Sequence, residues 1–236
     1  MSWSLITSLA AFGGSTPVGP LNTTGADLIV IMGFSLSLAT PTDNQSNTYT
    51  AAKTSTVSGR GECGIYYTHN PTTNASHTFT FNVNFASILV LVFSGSASGS
   101  IVDQTNSNNM AGDGVTTTFQ TGSITPTQSS ELIVAGWGLD DPPDTGGTPF
   151  SVDSGFTLGP VKDVVSGAFF GGVSAYLFQN SAAAVNPTMT RSNAMSGGGD
   201  GADACIVSFK GAGGVAGGVT PIPLVMYQAS RGFLPF

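Results

Sequence analysis

Two histidines, a three-carboxylate loop and a few aromatics are the side chains here whose types and spacing could do chemistry. His69 and His77 flank the turn 70–74 and could face each other across it. Two imidazoles can begin a metal site, but no third ligand lies near in sequence, so exposed loop histidines are expected. Asp140, Asp141 and Asp144 share one loop with Pro142 and Pro143. Hard cations take several oxygen ligands from such loops, so weak Ca2+ binding is weighed here against a solvated acidic turn. No other cofactor is expected. The stretch 197–203 has the Gly/Asp character of a calcium β-roll repeat, but it occurs once and that architecture works by stacking copies. A hairpin loop is the plainer reading.

Glycoside hydrolysis needs two carboxylates positioned across a cleft. The chain has two glutamates, Glu62 and Glu131, and Glu131 sits at a strand start matching Asp27, which gives it a structural reading. Gly-x-Ser-x-Gly, His-Glu-x-x-His and Walker patterns are absent. The expectation is a protein without catalytic residues. Trp3, Trp137 and Tyr227 are the candidates for stacking on a sugar, with Tyr66, Tyr67 and Tyr176 beside them, although aromatics in strands more often fill a core or an interface.

Composition narrows the partners. Charged residues are 8% of the chain, against about 25% in ordinary domains, and the net charge is −7 with six Lys plus Arg. Neutralising a phosphate backbone requires basic clusters, so nucleic acid is not expected, nor is attraction to an anionic membrane surface. The apolar runs 28–34 and 88–93 fall short of the ~20 residues a membrane helix needs, and 1–12 lacks the basic start of a secretory signal. Cys63 and Cys205 are too few for a disulfide framework and read as free, buried thiols rather than a bonded pair.

The elements that must position these residues are strands. The 32 glycines, with abundant Ser, Thr and Asn, supply turns, and no segment sustains a helical period. Residues 78–83 (Thr-Phe-Thr-Phe-Asn-Val) alternate with a period of two, as a half-buried strand does. An internal repeat orders the rest. Asp27-Leu-Ile-Val resembles Glu131-Leu-Ile-Val at an offset of 104, and Tyr49-Thr50 matches Phe156-Thr157 at 107. Ile65-Tyr66-Tyr67 is aligned with Ala175-Tyr176-Leu177 at 110, which makes Tyr66 and Tyr176 equivalent. Thr78-Phe79-Thr80 matches Thr188-Met189-Thr190 at 110, and residues 90–95 match 206–211 at 116.

Each copy reads as four or five strands. The first has 27–38, 47–51, a hairpin of 64–68 with 77–84, and 87–93. The second has 131–139, 155–158, 169–178, 187–191 and 203–209. An extra strand precedes each copy, at 3–11 or 17–21 and at 115–125. The expected fold is an all-β, jelly-roll-like antiparallel sandwich over 1–210, built from duplicated halves at about 15–95 and 115–211. Residues 88–93 are apolar at every position, so both faces of that strand should be covered, by the terminal segments or by a neighbouring subunit.

After a Gly-rich linker, 211–218, residues 219–236 form an apolar arm with Pro221, Pro223, Leu224, Val225, Met226, Tyr227, Phe233, Leu234 and Phe236. Its prolines argue against a helix or a central strand. The arm is read as an interface segment, docked on its own sandwich or on a neighbour.

Residues 24–30, 47–50, Tyr66-Tyr67 with Asn70-Pro71, 77–80, 93–95, 153–156 and 183–188 are turn-and-core motifs. Across about 1–210 they resemble those of phage- and bacterium-encoded β-sandwich virion proteins. The resemblance implies a capsid decoration, head-fibre or tail-associated receptor-binding component and carries over no catalytic residue. The expectation is a non-enzymatic accessory protein of a phage particle, a homo-oligomer that contacts other virion proteins. It would be found on the virion after assembly in the host cytoplasm, or otherwise outside the cell. A carbohydrate-binding adhesin that takes host glycan is the alternative.

Overall fold

A computed structural model describes residues 2–13, 16–56, 62–83, 86–111, 115–140, 149–162, 170–194 and 201–213. These residues form strands and no helix, and so contain no helix long and apolar enough to cross a membrane. The first half contains β1 (Ser4–Gly13), β2 (Val18–Leu21), β3 (Leu28–Ser35), β4 (Thr42–Asp43), β5 (Thr50–Ser55), β6 (Glu62–His69), β7 (His77–Thr80) and β8 (Ala86–Ser94). The second contains β9 (Val102–Ala111), β10 (Thr118–Gln120), β11 (Glu131–Asp140), β12 (Phe150–Val152), β13 (Thr157–Lys162), β14 (Phe170–Gln179), β15 (Thr188–Arg191) and β16 (Gly201–Lys210).

The duplication is complete at the level of topology. The first half makes a five-stranded sheet, β1-β8-β3-β6-β5, and a three-stranded sheet, β2-β7-β4. The second repeats both orders as β9-β16-β11-β14-β13 and β10-β15-β12. Each half is thus an eight-stranded, jelly-roll-like sandwich in its own right. The segments read from sequence as extra strands, β1, β2 and β10, are integral members of their copies. β9, rich in Asn and polar along its length, had no apolar alternation to reveal it. The supposed hairpin 64–68/77–84 is a crossover instead, because β6 belongs to the large sheet and β7 to the small one.

Register confirms most of the repeat and corrects one match. Leu28 pairs with both His69 and Phe93, while Leu132 pairs with both Phe178 and Phe209. His69 therefore corresponds to Phe178, and Tyr67 to Tyr176. The sequence alignment of Tyr66 with Tyr176 was one residue out, and a one-residue slip in a strand exchanges its faces. Thr50 and Thr157 pair with Tyr67 and Tyr176, so the match at 107 holds.

The two large sheets pack face to face, with the small sheets outside, giving four layers. β3 lies on β11 at the centre, β1 on β13 at one margin and β5 on β9 at the other. Since β1 corresponds to β9 and β5 to β13, exchanging the halves maps this interface onto itself. It has the geometry of an isologous dimer built within one chain.

This stacking explains the uniformly apolar strands. In β3, Leu28, Val30, Met32 and Phe34 face the opposite half, while Ile29 and Ile31 face their own small sheet. In β8, Leu89, Leu91 and Phe93 point inward and Ile88, Val90 and Val92 outward. The chain covers both faces itself, so neither terminal segments nor a second subunit is needed there. Burial of each such side chain contributes roughly 1.5–3 kcal/mol.

The halves differ where large and small residues trade places. Phe34 corresponds to Gly138, and its ring occupies the space in front of Gly138 and Gly172. Trp137 stands where the first half has Gly33, and there the ring of Phe81 fills the gap. Trp137 is fully buried, and its indole N–H donates to Phe119 O at 2.9 Å.

Candidate functional site

The densest polar cluster of the first half centres on Asp43, in the two-residue strand β4. Its Oδ1 accepts the backbone N–H groups of Gln45 and Asn47, each at 3.0 Å. Its Oδ2 accepts Asn47 Nδ2 and the Tyr49 hydroxyl, each at 2.8 Å. Such local bonds fix a turn, here one containing Ser46 at φ 59°. His77 arrives from β7 with Nε2 2.9 Å from Asp43 Oδ2, while its Nδ1 lies 2.9 Å from Thr23 Oγ1. The Thr23 hydroxyl donates to Asn74 O at 3.1 Å.

Hydroxyl, imidazole and carboxylate in line are the components of a nucleophile, base and orienter relay. Here Thr23 and His77 are fully buried, and Thr23 Oγ1 also accepts Asn74 N–H at 3.0 Å. The ring of His77 stacks on Phe79 at 4.5 Å between centroids. The cluster pins the turn at 43–49 and the segment at Thr23 to the small sheet. Burial pushes the Asp43 carboxyl up, but the bonds from Asn47, Tyr49 and His77 outweigh it and hold it below the usual range. Burial, followed by the nearby Asp43 charge, keeps the Tyr49 phenol protonated.

A second cluster joins β9, β11 and β16. Asp103 accepts Thr127 N–H at 2.7 Å and the Thr127 hydroxyl at 2.6 Å, with Lys210 Nζ 3.5 Å away. Glu131 is fully buried, where its Oε1 accepts Gln128 N–H at 3.3 Å and its Oε2 has no hydrogen-bond partner among the described residues. Burial first, then the Asp103 charge, pushes Glu131 up to about 7, whereas the Thr127 bonds hold Asp103 low against its own burial. Two carboxyls with unlike proton affinities are the ingredients of acid–base chemistry. Glu131, however, is closed off from solvent, so its carboxyl does not line a cleft where a glycosidic bond could sit.

The thiols are free and buried, as expected from sequence. They meet across the large-sheet interface: Cys205 Sγ lies 3.4 Å from Cys63 O, and Cys63 Sγ lies 3.6 Å from Gly136 O. Burial pushes the Cys63 thiol well above its ordinary value, with Cys205 adding to the shift.

The other sequence candidates scatter. His69 is half-buried and bonded to Ser96 Oγ at 3.1 Å, in a different sheet from His77. The expectation of two exposed loop histidines fails for both: His69 ends β6 half-buried, and His77 begins β7 fully buried, where Asp43 and Thr23 partner its ring. Trp3 is 7% exposed, packed edge-on against Phe93, with its indole 3.3 Å from Ser130 O. Neither Trp3 nor Trp137 presents a ring face for a sugar, since their apolar bodies complete the cores. Glu62 accepts Leu38 N–H at 2.8 Å, a loop-holding role. Of the acidic loop, Asp140 ends β11, while Asp141 and Asp144 lie outside the described residues. So do most of 197–203, all of Tyr227 and the rest of the arm, including Pro221, Pro223, Leu224, Val225, Met226, Phe233, Leu234 and Phe236. Among the described residues, no group of three or more His, Cys, Asp or Glu is arranged to hold a metal ion.

Sequence reasoning missed Asp43, Thr23 and Asp103. The spacing Asp43, Asn47, Tyr49 carries a turn signal, but nothing local announces the partnership with His77 across 34 residues. Compared with protein-family models, with curated proteins and with solved structures, the chain matches none.

Proposed function

We propose that this chain is a non-enzymatic structural protein of a phage particle, of the capsid-decoration or fibre type, that packs in multiple copies. The observation that carries this reading is the outer face of the small sheets. Thr42 is paired with Thr80, and the row Thr118, Thr190, Ser151 is followed by Gln120 with Thr188. These rows carry hydroxyls and an amide rather than charge. Identical copies brought together through charged faces repel one another, whereas uncharged polar faces make close repetition inexpensive. The four-layer core supports the same role by fixing those faces rigidly. The polar clusters add to it, each spent on holding the chain's own turns.

The test is direct. An antibody against the chain should label intact particles from the phage that encodes it, and native mass spectrometry of the purified chain should give a closed homo-oligomer. Purified particles lacking the chain would overturn the proposal.

A further inference from the structure

We propose that Cys63 and Cys205 form a reversible disulfide joining the two halves of the chain, made by exchange with a small-molecule disulfide such as oxidised glutathione. They are the chain's two cysteines. One lies on β6 of the first half and the other on β16 of the second, 142 positions apart. Both are fully buried in the core between the large sheets. Cys205 Sγ is 3.4 Å from the Cys63 carbonyl oxygen. Cys63 Sγ is 3.6 Å from the carbonyl oxygen of Gly136, the residue paired with Cys205 across β11 and β16. Packed sheets ordinarily stand ~10 Å apart, with side chains from both filling the gap. Here one thiol from each side reaches the opposite backbone, so the gap is a single side chain deep. A disulfide requires such an approach, with Cα atoms roughly 4.4–6.8 Å apart.

The duplication provides an internal comparison. By register, Cys63 corresponds to Gly172 and Cys205 to Leu89. At that related place Gly172 lies against Leu89, whose Cδ1 is 3.3 Å from where a β-carbon on Gly172 would stand. A glycine against a leucine thus packs the same junction of β-strands without sulfur. The cysteine pair is not a contact copied by the repeat, and close packing at this junction does not demand it. Two thiols at one junction supply the parts of a covalent link.

The exchange runs when the large sheets part. Opening exposes both thiols and restores the thiolate that burial suppresses at Cys63. One cysteine thiolate attacks a sulfur of oxidised glutathione, forming a mixed disulfide and releasing a glutathione thiolate. The other cysteine thiolate attacks the protein sulfur of that mixed disulfide and releases the second glutathione. Two protein thiols are oxidised, one glutathione disulfide is reduced to two thiols, and the protons pass to these through solvent. Closure of the sheets then buries the bond. A link between positions so far apart in sequence strongly restrains the unfolded chain, and by tying β6 to β16 it keeps the halves together.

The test starts from the full, reduced chain, held with oxidised glutathione in guanidinium just below its unfolding midpoint and then returned to buffer. Intact mass spectrometry should show the loss of two hydrogens, and peptide mapping should join Cys63 to Cys205 within one chain. The oxidised chain should unfold at a guanidinium midpoint about 0.5 M higher, and dithiothreitol should restore the original value. Cys205→Ser under the same conditions should stop at a glutathione adduct on Cys63, with no rise in midpoint. Persistent glutathione adducts on the parent chain, disulfide-linked dimers or thiols that stay free overturn the assignment. So does an internal disulfide that leaves the midpoint unchanged or lowers it, because the closed structure would then not accommodate the bond.

Discussion

The ring of Phe34 lies across the halves against Gly172, where a β-carbon would overlap its Cδ2 and Cε2 atoms. Phe34 is 1% exposed and belongs to the core between the large sheets. One half supplies the knob and the other the hole, so the knob-and-hole fit joins two copies that topology alone would leave interchangeable.

Gly172→Ala should therefore destabilise the protein through packing, since its φ is not in the left-handed region. Overpacking of this kind costs about 1–3 kcal/mol, read as a lower Tm or denaturant midpoint. Combining it with Phe34→Leu should cost less than the sum of the two single changes, because the residues touch. Additive effects would show that the contact is unimportant.

Removing the Asp43 carboxylate should release the 43–49 turn. Asp43→Ala leaves His77 buried beside no acceptor and should cost on the order of 3 kcal/mol. Because folding lowers the Asp43 pKa, its stabilising contribution is complete above the ordinary value of 3.8 and is lost as pH falls through the folded value. Stability curves between pH 5 and pH 2 should be shallower for Asp43→Asn than for the parent chain.

Glu131 should act in the opposite direction. Its folded pKa is raised from 4.5 to about 7, so the stability tied to its proton is present below pH 4.5 and declines as pH rises through about 7. Glu131→Gln, which keeps a donor without the charge, should flatten stability between pH 5 and pH 8. An unchanged slope in that window would mean that Glu131 titrates normally.

Cys63 and Cys205 should be silent toward an aromatic disulfide reagent in the native protein and should react fully in guanidinium, two thiols per chain. Burial both blocks access and suppresses the Cys63 thiolate, and the thiolate is the reactive form. Rapid labelling of the native protein would mean that the large sheets separate readily.

The sequence by itself determined where most strands lie and that the chain is doubled. Alternation in 78–83, the unbroken apolar run 88–93 and the paired Asp27 and Glu131 segments are local patterns, and strand geometry turns them directly into faces. β9 escaped because a polar margin strand lacks that alternation. Only the tertiary structure decided what covers each face, since a period of two tells which side chains share a side but not what lies opposite. It buried His77 against Asp43, took Trp3 and Trp137 into the cores, and set Gly172 beneath Phe34. A histidine, a tryptophan or a glycine acquires its role from the atoms packed against it, and those come from strands far away along the chain.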